Sequence, residues 1–350
     1  MDKIKSFIDN NALVLAMLVG VVGHALFHHL SWLLPPMIFM MLFFTFCKVN
    51  PLDLRLHAWH WLVLVVQLAL TGVVYYGLLW LLHSMSQYTD ITELDIAIVS
   101  QGIMMCVIMP TATAAPIIAG KLGGSIQNLT TFTLLSNLAT AVIVPAFFPI
   151  VNPSADLDFW TACWMILRKV SPLLLGPFLA AWLLRVCYNA HEKRKGSGKT
   201  FVLCAPWSSM PFYIWVGTLV ILMAQITQTM LTQHYNLWTI VALCVGALLT
   251  CLVQFRLGRM IGYRFPAPNR GEDYHDVLID PAAANYTMPE VSRITAGQAF
   301  GQKNTTLGVW MSQAYLTPLS AIGPAAYIVW QNVINSMQLS RAAKRAKKRQ

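Results

Sequence analysis

Long apolar runs separated by short polar stretches dominate this chain. An apolar run of about 18 or more residues is long enough for a helix to cross a bilayer, and such runs recur throughout. They are continuous rather than alternating, which excludes a transmembrane β-barrel. About ten spans follow from the length rule. They run from roughly Asn11 to Leu33, Pro35 to Lys48, Ala58 to Leu82, Asp95 to Gly120, Asn128 to Val151, Val170 to Tyr188, Pro206 to Met230, Trp238 to Ile261, Ser292 to Leu316 and Ala321 to Leu339. The expected fold class is an all-α polytopic membrane protein. The N-terminal MDKIKSFIDNNALVLAMLVGVVG begins like a signal peptide, but no convincing small-residue cleavage site follows, so it reads as a retained first helix.

Two spans are interrupted. The fourth contains MPTATAAPIIAGKLGG, Met109 to Gly124, in which Pro110 and Pro116 enclose Thr111 and Thr113. Proline removes an amide donor and clashes with the preceding turn, so a break is expected there. The ninth contains GQAFGQKNTTLG, Gly297 to Gly308. Here Gly297, Gly301 and the run Asn304, Thr305, Thr306 weaken the helix by backbone entropy and side-chain competition. The interruptions lie five spans apart, and five is odd, so a duplicated unit must enter the membrane in opposite senses. The expectation is two inverted five-helix repeats, about residues 11–151 and 158–339. Broken helices at corresponding positions of inverted halves point to a transporter site at the midplane.

Charge adds an orientation. Basic residues gather on one side of the expected topology: Lys3, Lys5, Lys48, Arg55, Lys121, Arg185, Lys193, Arg194, Lys195, Lys199, Arg256, Arg259, Arg264, Arg270 and Arg293. The other side receives only Arg168 and Lys169, on a stretch from Phe159 to Val170 that reads as an interfacial amphipathic helix. The positive-inside rule then makes both termini cytoplasmic, in an inner or plasma membrane. Six of the 24 Lys and Arg fall in the last ten residues, within a basic tail over 340–350 suited to anionic lipid headgroups. No aromatic platform accompanies that tail, which argues against nucleic acid despite the net charge of +10. The stretch 264–290 is a polar cytoplasmic loop holding five of the fourteen acidic residues, without calcium-loop spacing.

Composition agrees with the span count. Hydrophobic residues make up 57% and charged residues 11%, against about 25% charged in an average soluble domain. The seven cysteines lie in or beside apolar segments without metal-ligand pairing, so neither a disulfide framework nor a zinc site is expected. No serine–histidine–acid, zinc or phosphate-loop pattern appears, and no enzyme and no cofactor is expected.

The candidate chemistry centres on Lys303. A charge at the bilayer centre costs about 2.5–3.5 kcal/mol on insertion scales, which makes it a functional candidate by default. Arg293 lies ten residues earlier, about 15 Å along a helix, so if Arg293 marks the interface Lys303 is near the midplane. The plainer alternative is a lysine neutralised against a backbone carbonyl in a kinked helix. Half-helix N-termini present unpaired amides and about +0.5 of a charge, which favours an anionic group. Thr111, Thr113, Thr305 and Thr306 hydroxyls and the Asn304 amide would complete its coordination, although any single threonine can back-bond to its own helix. None of the fourteen acidic residues sits deep in a span, Asp95 and Glu290 being closest, so a carboxylate proton path is absent. His24 is a weaker candidate and reads better as a packing residue.

Taken in order, several stretches resemble the bile acid:sodium symporter family. LSWLLPPMIFMMLFFTFCKVNPLDLRL (Leu30 to Leu56) resembles its second helix and following loop, and VVQLAL (Val65 to Leu70) its third, with Gln67 at a sodium-site glutamine. MPTATAAPIIAGKLGG and GQKNTTLG resemble its two crossing helices, and PAAYIVWQNVINS its tenth. The resemblance implies a panel (spans 1, 2, 6 and 7) and a core (spans 3–5 and 8–10) that moves against it to carry organic anions. Thr113, Asn304 and Thr305 match positions near the family's substrate and crossover, while Gln67 and Thr133 match sodium-site positions. Departures are Ala115 and Pro116 at the serine and asparagine ligands, Ala299 (beside Gln298) at the glutamate, and Lys303 at the ligand glutamine. An alanine offers no side-chain oxygen and a lysine repels a cation.

The expected function is therefore secondary transport of an organic anion, bile-acid-like, sterol-like or a small carboxylate, by alternating access. In this expectation Lys303 stands where one sodium would, and the same residue is a candidate to release a proton during the cycle. The candidate coupling ions are Na+ and H+, and the lost ligands count against Na+. The alternatives are an uncoupled or proton-coupled exchanger or uniporter, and a non-transporting membrane receptor on the same fold.

Overall fold

A computed structural model describes residues 15–49, 54–153, 157–196, 200–203, 207, 210–233, 235–267 and 286–349. Most of the acidic loop (268–285) and the N-terminal lysines lie outside these residues. The protein is all-α: 84% helical, without a sheet among the described residues. Its helices are α1 (15–22), α2 (His24–Phe27), α3 (Leu34–Phe46), α4 (Ala58–Ser86), α5 (Glu93–Ile108), α6 (Ala115–Lys121), α7 (Ile126–Val151), α8 (Phe159–Arg194), α9 (Met210–Thr232), α10 (Leu237–Arg264), α11 (Met288–Gly301), α12 (Thr305–Tyr315) and α13 (Ile322–Arg349). Single 3-10 turns precede α3 and α13, at His28–Leu33 and Pro318–Ala321.

Six helical stretches among the described residues are long and apolar enough to cross a membrane: His24–Phe46, α4, α7, α8, α9 and α10. This is a polytopic membrane protein by that measure. Ten expected spans reduce to six for visible reasons. The fourth and ninth are each split into two short helices, and α13 has Gln331, Asn332, Asn335 and Gln338 diluting its apolar run. The first two expected spans are represented in that measure only by His24–Phe46, a stretch within which the chain reverses. The stretch from Phe159 to Val170, expected as a separate interfacial helix, is instead the start of the 36-residue α8. Pro172 and Pro177 lie inside α8 without ending it.

The chain divides into two compact units. One comprises residues 1–51 and 145–235, and thus α1–α3, the end of α7, α8 and α9. Within it Gly20 backs onto Val220 and Met223, and His24 Nδ1 bonds Gln228 Oε1 at 3.0 Å. Met37, by contrast, lies against Gly217, and Phe44 stacks on Trp207. Residues 15–27 therefore run along α9 in its own direction and α3 runs the opposite way, the reversal falling in the His28–Leu33 turn. Arg185 of α8 ties the unit's other edge, donating to the carbonyls of Cys47 (3.0 Å) and Phe201 (3.2 Å).

The second unit comprises residues 52–144 and 236–350: α4 to most of α7, and α10–α13. Its axis is α10, which packs against α5, α11 and α13. Against α11 the contact is backbone-close, because Gly258 and Gly262 face Ala296 and Ser292. Small residues four apart let helices approach in an apolar medium, where burial of apolar surface supplies no drive. Asp95 pins the start of α5 to that of α10. It is 3% exposed, caps its own helix through Thr92, and accepts from Asn236 Nδ2 and Thr239 Oγ1 at 2.7 Å each. Four hydrogen bonds to one carboxylate, those two and two from Thr92, account for an acid this buried.

A crossing of two broken helices as the candidate functional site

Both interruptions lie in the second unit, and they meet. The first break starts at Met109, whose φ −49° and ψ 141° put it in the extended region that a following proline enforces. Pro116 does the reverse of what its sequence position suggested. It occupies the first turn of α6, where proline is tolerated and pre-set for a helix, so it starts the second half instead of ending the first. In the second break Gln302 is extended as well (φ −94°, ψ 117°). Gly297 and Gly301 do not open this helix; α11 remains helical through both. Their missing side chains admit Arg259 and the Phe255 ring of α10.

The two extended stretches pair as an isolated antiparallel bridge between Thr111 and Lys303. Its backbone bonds run from Ala112 N to Gln302 O (3.0 Å) and from Asn304 N to Pro110 O (2.8 Å). Pairing of this kind satisfies amides and carbonyls that a helix break would leave bare in hydrocarbon.

The side chains of the bridge repeat its symmetry. Lys303 Nζ donates to Val107 O at 2.9 Å, and Val107 lies four residues before Thr111. Thr111 Oγ1 donates to Ala299 O at 2.7 Å, and Ala299 lies four residues before Lys303. Each bridge residue thus caps the carbonyl end of the other broken helix. Backbone amides are treated alike: Thr111 N donates to Ser136 Oγ of α7 (3.1 Å) and Lys303 N to Gln331 Oε1 of α13 (2.9 Å). Further caps follow. Gln67 Nε2 of α4 lies within bonding distance of the carbonyls of Val107 (3.0 Å), Ile108 (3.1 Å) and Met109 (3.0 Å). Gln254 Nε2 of α10 donates to Cys106 O at 3.0 Å, and Tyr327 OH of α13 to Gly301 O at 2.9 Å.

Electrostatically, the crossing joins two helix C-termini (α5, α11) to two N-termini (α6, α12). C-terminal carbonyls carry about half a negative charge, which a cation offsets. Lys303, 1% exposed, places a donor there, its Nζ bonded to Val107 O at the end of α5 and standing 5.0 Å from the Phe300 ring centroid. The lysine is therefore bonded to a backbone carbonyl, as the plainer reading held, but to that of the other broken helix.

Of the residues singled out from sequence, the crossing brings together Thr111, Lys303, Asn304 and Gln67. Asn304 caps α12, its Oδ1 accepting from Leu307 N at 3.2 Å, while its buried Nδ2 has no partner among the described residues. Thr305 and Thr306 are buried in the first turn of α12. Thr113 is half-buried beside the bridge, next to the exposed Ala114. Thr133 back-bonds to Leu129 O at 2.9 Å on its own helix. Gln298 points along α11: its Nε2 donates to Gln338 Oε1 at 2.6 Å and its Oε1 accepts from Gln302. Sequence reasoning overlooked Ser136, Gln254, Tyr327 and Gln331. Their signal was present, since a polar side chain within an apolar run needs a partner at depth.

In comparisons with known proteins, no family model and no curated protein matches this chain.

Proposed function

We propose that the protein is a secondary transporter that moves an organic anion by alternating access, with the Lys303 ammonium standing in for a coupling cation. The observation that carries this reading is the Lys303 Nζ bond to Val107 O, made across the Thr111–Lys303 bridge and answered by Thr111 on Ala299 O. A broken helix at depth is tolerated only where protein or a cavity satisfies it, and paired breaks are the transporter's way of building a site from helix ends.

Other features support the finer parts of the proposal. The reciprocal bonds and the backbone pairing support an inverted repeat whose halves each contribute one broken helix to ten spans. The two-unit division supports a panel built from the first two, sixth and seventh spans and a core built from the rest. Recognition of an anion is supported by Asn304 Nδ2, an unpartnered donor at the N-terminus of α12, with Thr113 beside the bridge. Independence from sodium is supported by the surroundings of Ala115 and Ala299. Both are fully buried in an apolar cluster with Trp59, Phe132 and Phe300 and supply no side-chain oxygen to a hard cation, and the nearby Thr111 hydroxyl is engaged with Ala299 O. These features sit with a divergent relation to bile acid:sodium symporters, in an inner or plasma membrane with both termini cytoplasmic.

Proteoliposome uptake of a radiolabelled bile acid and of a small dicarboxylate, with and without sodium and across a pH gradient, tests the proposal. Uptake of one of them without sodium is expected, falling at least about tenfold in Lys303→Gln, the scale expected when a charged group at depth is removed. Full sodium dependence with an unimpaired Lys303→Gln variant would sink the cation-substitution idea. Saturable binding without flux would instead identify a receptor.

A further inference from the structure

At one end of the second unit, α10, α11 and α13 enclose a groove of about 870 Å³. Arginines come to it from every wall: Arg256 and Arg259 from α10, Arg293 from α11 and Arg341 from α13. Among the described residues no Asp or Glu lines it. Arg256, Arg293 and Arg341 are exposed and make no ion pair within the described residues. Three exposed guanidinium groups, of Arg256, Arg293 and Arg341, gathered with no Asp or Glu among the described lining residues repel one another, and an anion placed among them relieves that repulsion.

The rest of the lining narrows the anion. Leu252, Met260 and Met337 also line the groove and are 48, 60 and 50% exposed. Arg256 and Met260 are four residues apart on α10, and Met337 and Arg341 four apart on α13, so on both helices a cation sits one turn from an exposed apolar side chain. A free phosphate would use the arginines and leave the apolar wall bare. A phospholipid uses both, and the groove belongs to a helix bundle that lies in lipid. Basic pockets between membrane-spanning helices are recurrent sites for anionic headgroups.

We propose that this groove binds one phospholipid with an anionic headgroup, its phosphate among Arg256, Arg293 and Arg341 and an acyl chain along Leu252, Met260 and Met337. The site is separate from the crossing and shares only Arg341 with the basic tail. It requires no transport activity, so it stands or falls independently of the proposed function.

Native mass spectrometry of the intact chain, released from detergent containing equal phosphatidylglycerol and phosphatidylcholine, tests it. One phosphatidylglycerol is expected to stay bound with a preference of about tenfold over phosphatidylcholine. The triple variant Arg256→Gln, Arg293→Gln, Arg341→Gln is expected to lose that preference. Substitution of the same three by Lys should keep most of it, which separates lost charge from lost folding. Neutralising Lys344, Lys347 and Lys348 in the tail should leave it unchanged. Equal retention of both lipids, loss in the tail variant alone, or displacement of phosphatidylglycerol by millimolar inorganic phosphate would overturn the proposal. So would retention that emerges only after Glu272, Asp273 and Asp276 are neutralised, because the chain's own acids would then be the partner of the arginines.

Discussion

At the scale of single residues, the crossing is a set of exchanged caps. Lys303 and Thr111 each complete the carbonyl end of the other's helix, so neither bond is local and neither can form unless both breaks are in place. Residues that share such a network are expected to be energetically coupled. A double-mutant cycle of Thr111→Val and Lys303→Met, followed by unfolding in mixed micelles, should return an interaction energy of about 1–3 kcal/mol. Additive effects would mean that the two caps act separately. Asp95 illustrates a buried charge with a structural task. Four donors surround it, and its removal leaves Asn236 and Thr239 without their acceptor. Asp95→Ala should destabilise by about 2–4 kcal/mol, combining a lost cap with stranded polar groups. A loss under about 0.5 kcal/mol would show that water replaces those bonds, the ordinary behaviour of an exposed surface site.

At the scale of elements, the two breaks arise from different causes. Pro110 forces Met109 out of the helical region, a purely local effect legible from the chain. The second break has no proline, and its glycines are occupied in packing against α10. What holds Gln302 and Lys303 extended is pairing with residues nearly two hundred positions away. The α10–α11 contact that supports this arrangement makes a separate prediction. A side chain at Gly262 would strike the Ser292 carbonyl, whereas one at Gly77 of α4 would meet nothing within 4 Å. Gly262→Leu should cost about 3 kcal/mol or more through overpacking against backbone. Gly77→Ala should stabilise by about 0.5–1 kcal/mol through restricted unfolded-chain entropy. Thermal unfolding in detergent measures both, and the contrast in sign is the check.

At the scale of the whole molecule, the long apolar helices make this a membrane protein, and its basic residues make a topological prediction. Reporter fusions at residue 1 and after residue 350 should both report the cytoplasm, while a tag inserted at 154–156 should be accessible only from outside. Both termini outside would reverse the assignment for every loop, and termini on opposite sides would make the number of spans odd. Much of this scale was legible in sequence, because bilayer crossing depends on length and apolarity alone. The division of α8 was misread for the same reason. Arg168 and Lys169 lower local hydropathy, yet backbone hydrogen bonding carries the helix straight through them.

Sequence alone determined the solvent, the helical class and the two interrupted segments, and it marked Lys303 as a basic side chain inside one of them. Each follows from the composition or local chemistry of one continuous stretch. Only the tertiary structure decided which carbonyl Lys303 meets, that Thr111 answers it, that Gln298 turns toward Gln338 instead, and that four arginines from three helices share one groove. Those facts depend on contacts between segments far apart in the chain. A local pattern can mark a polar group as needing a partner at depth, but the choice of partner belongs to the packing of the helices.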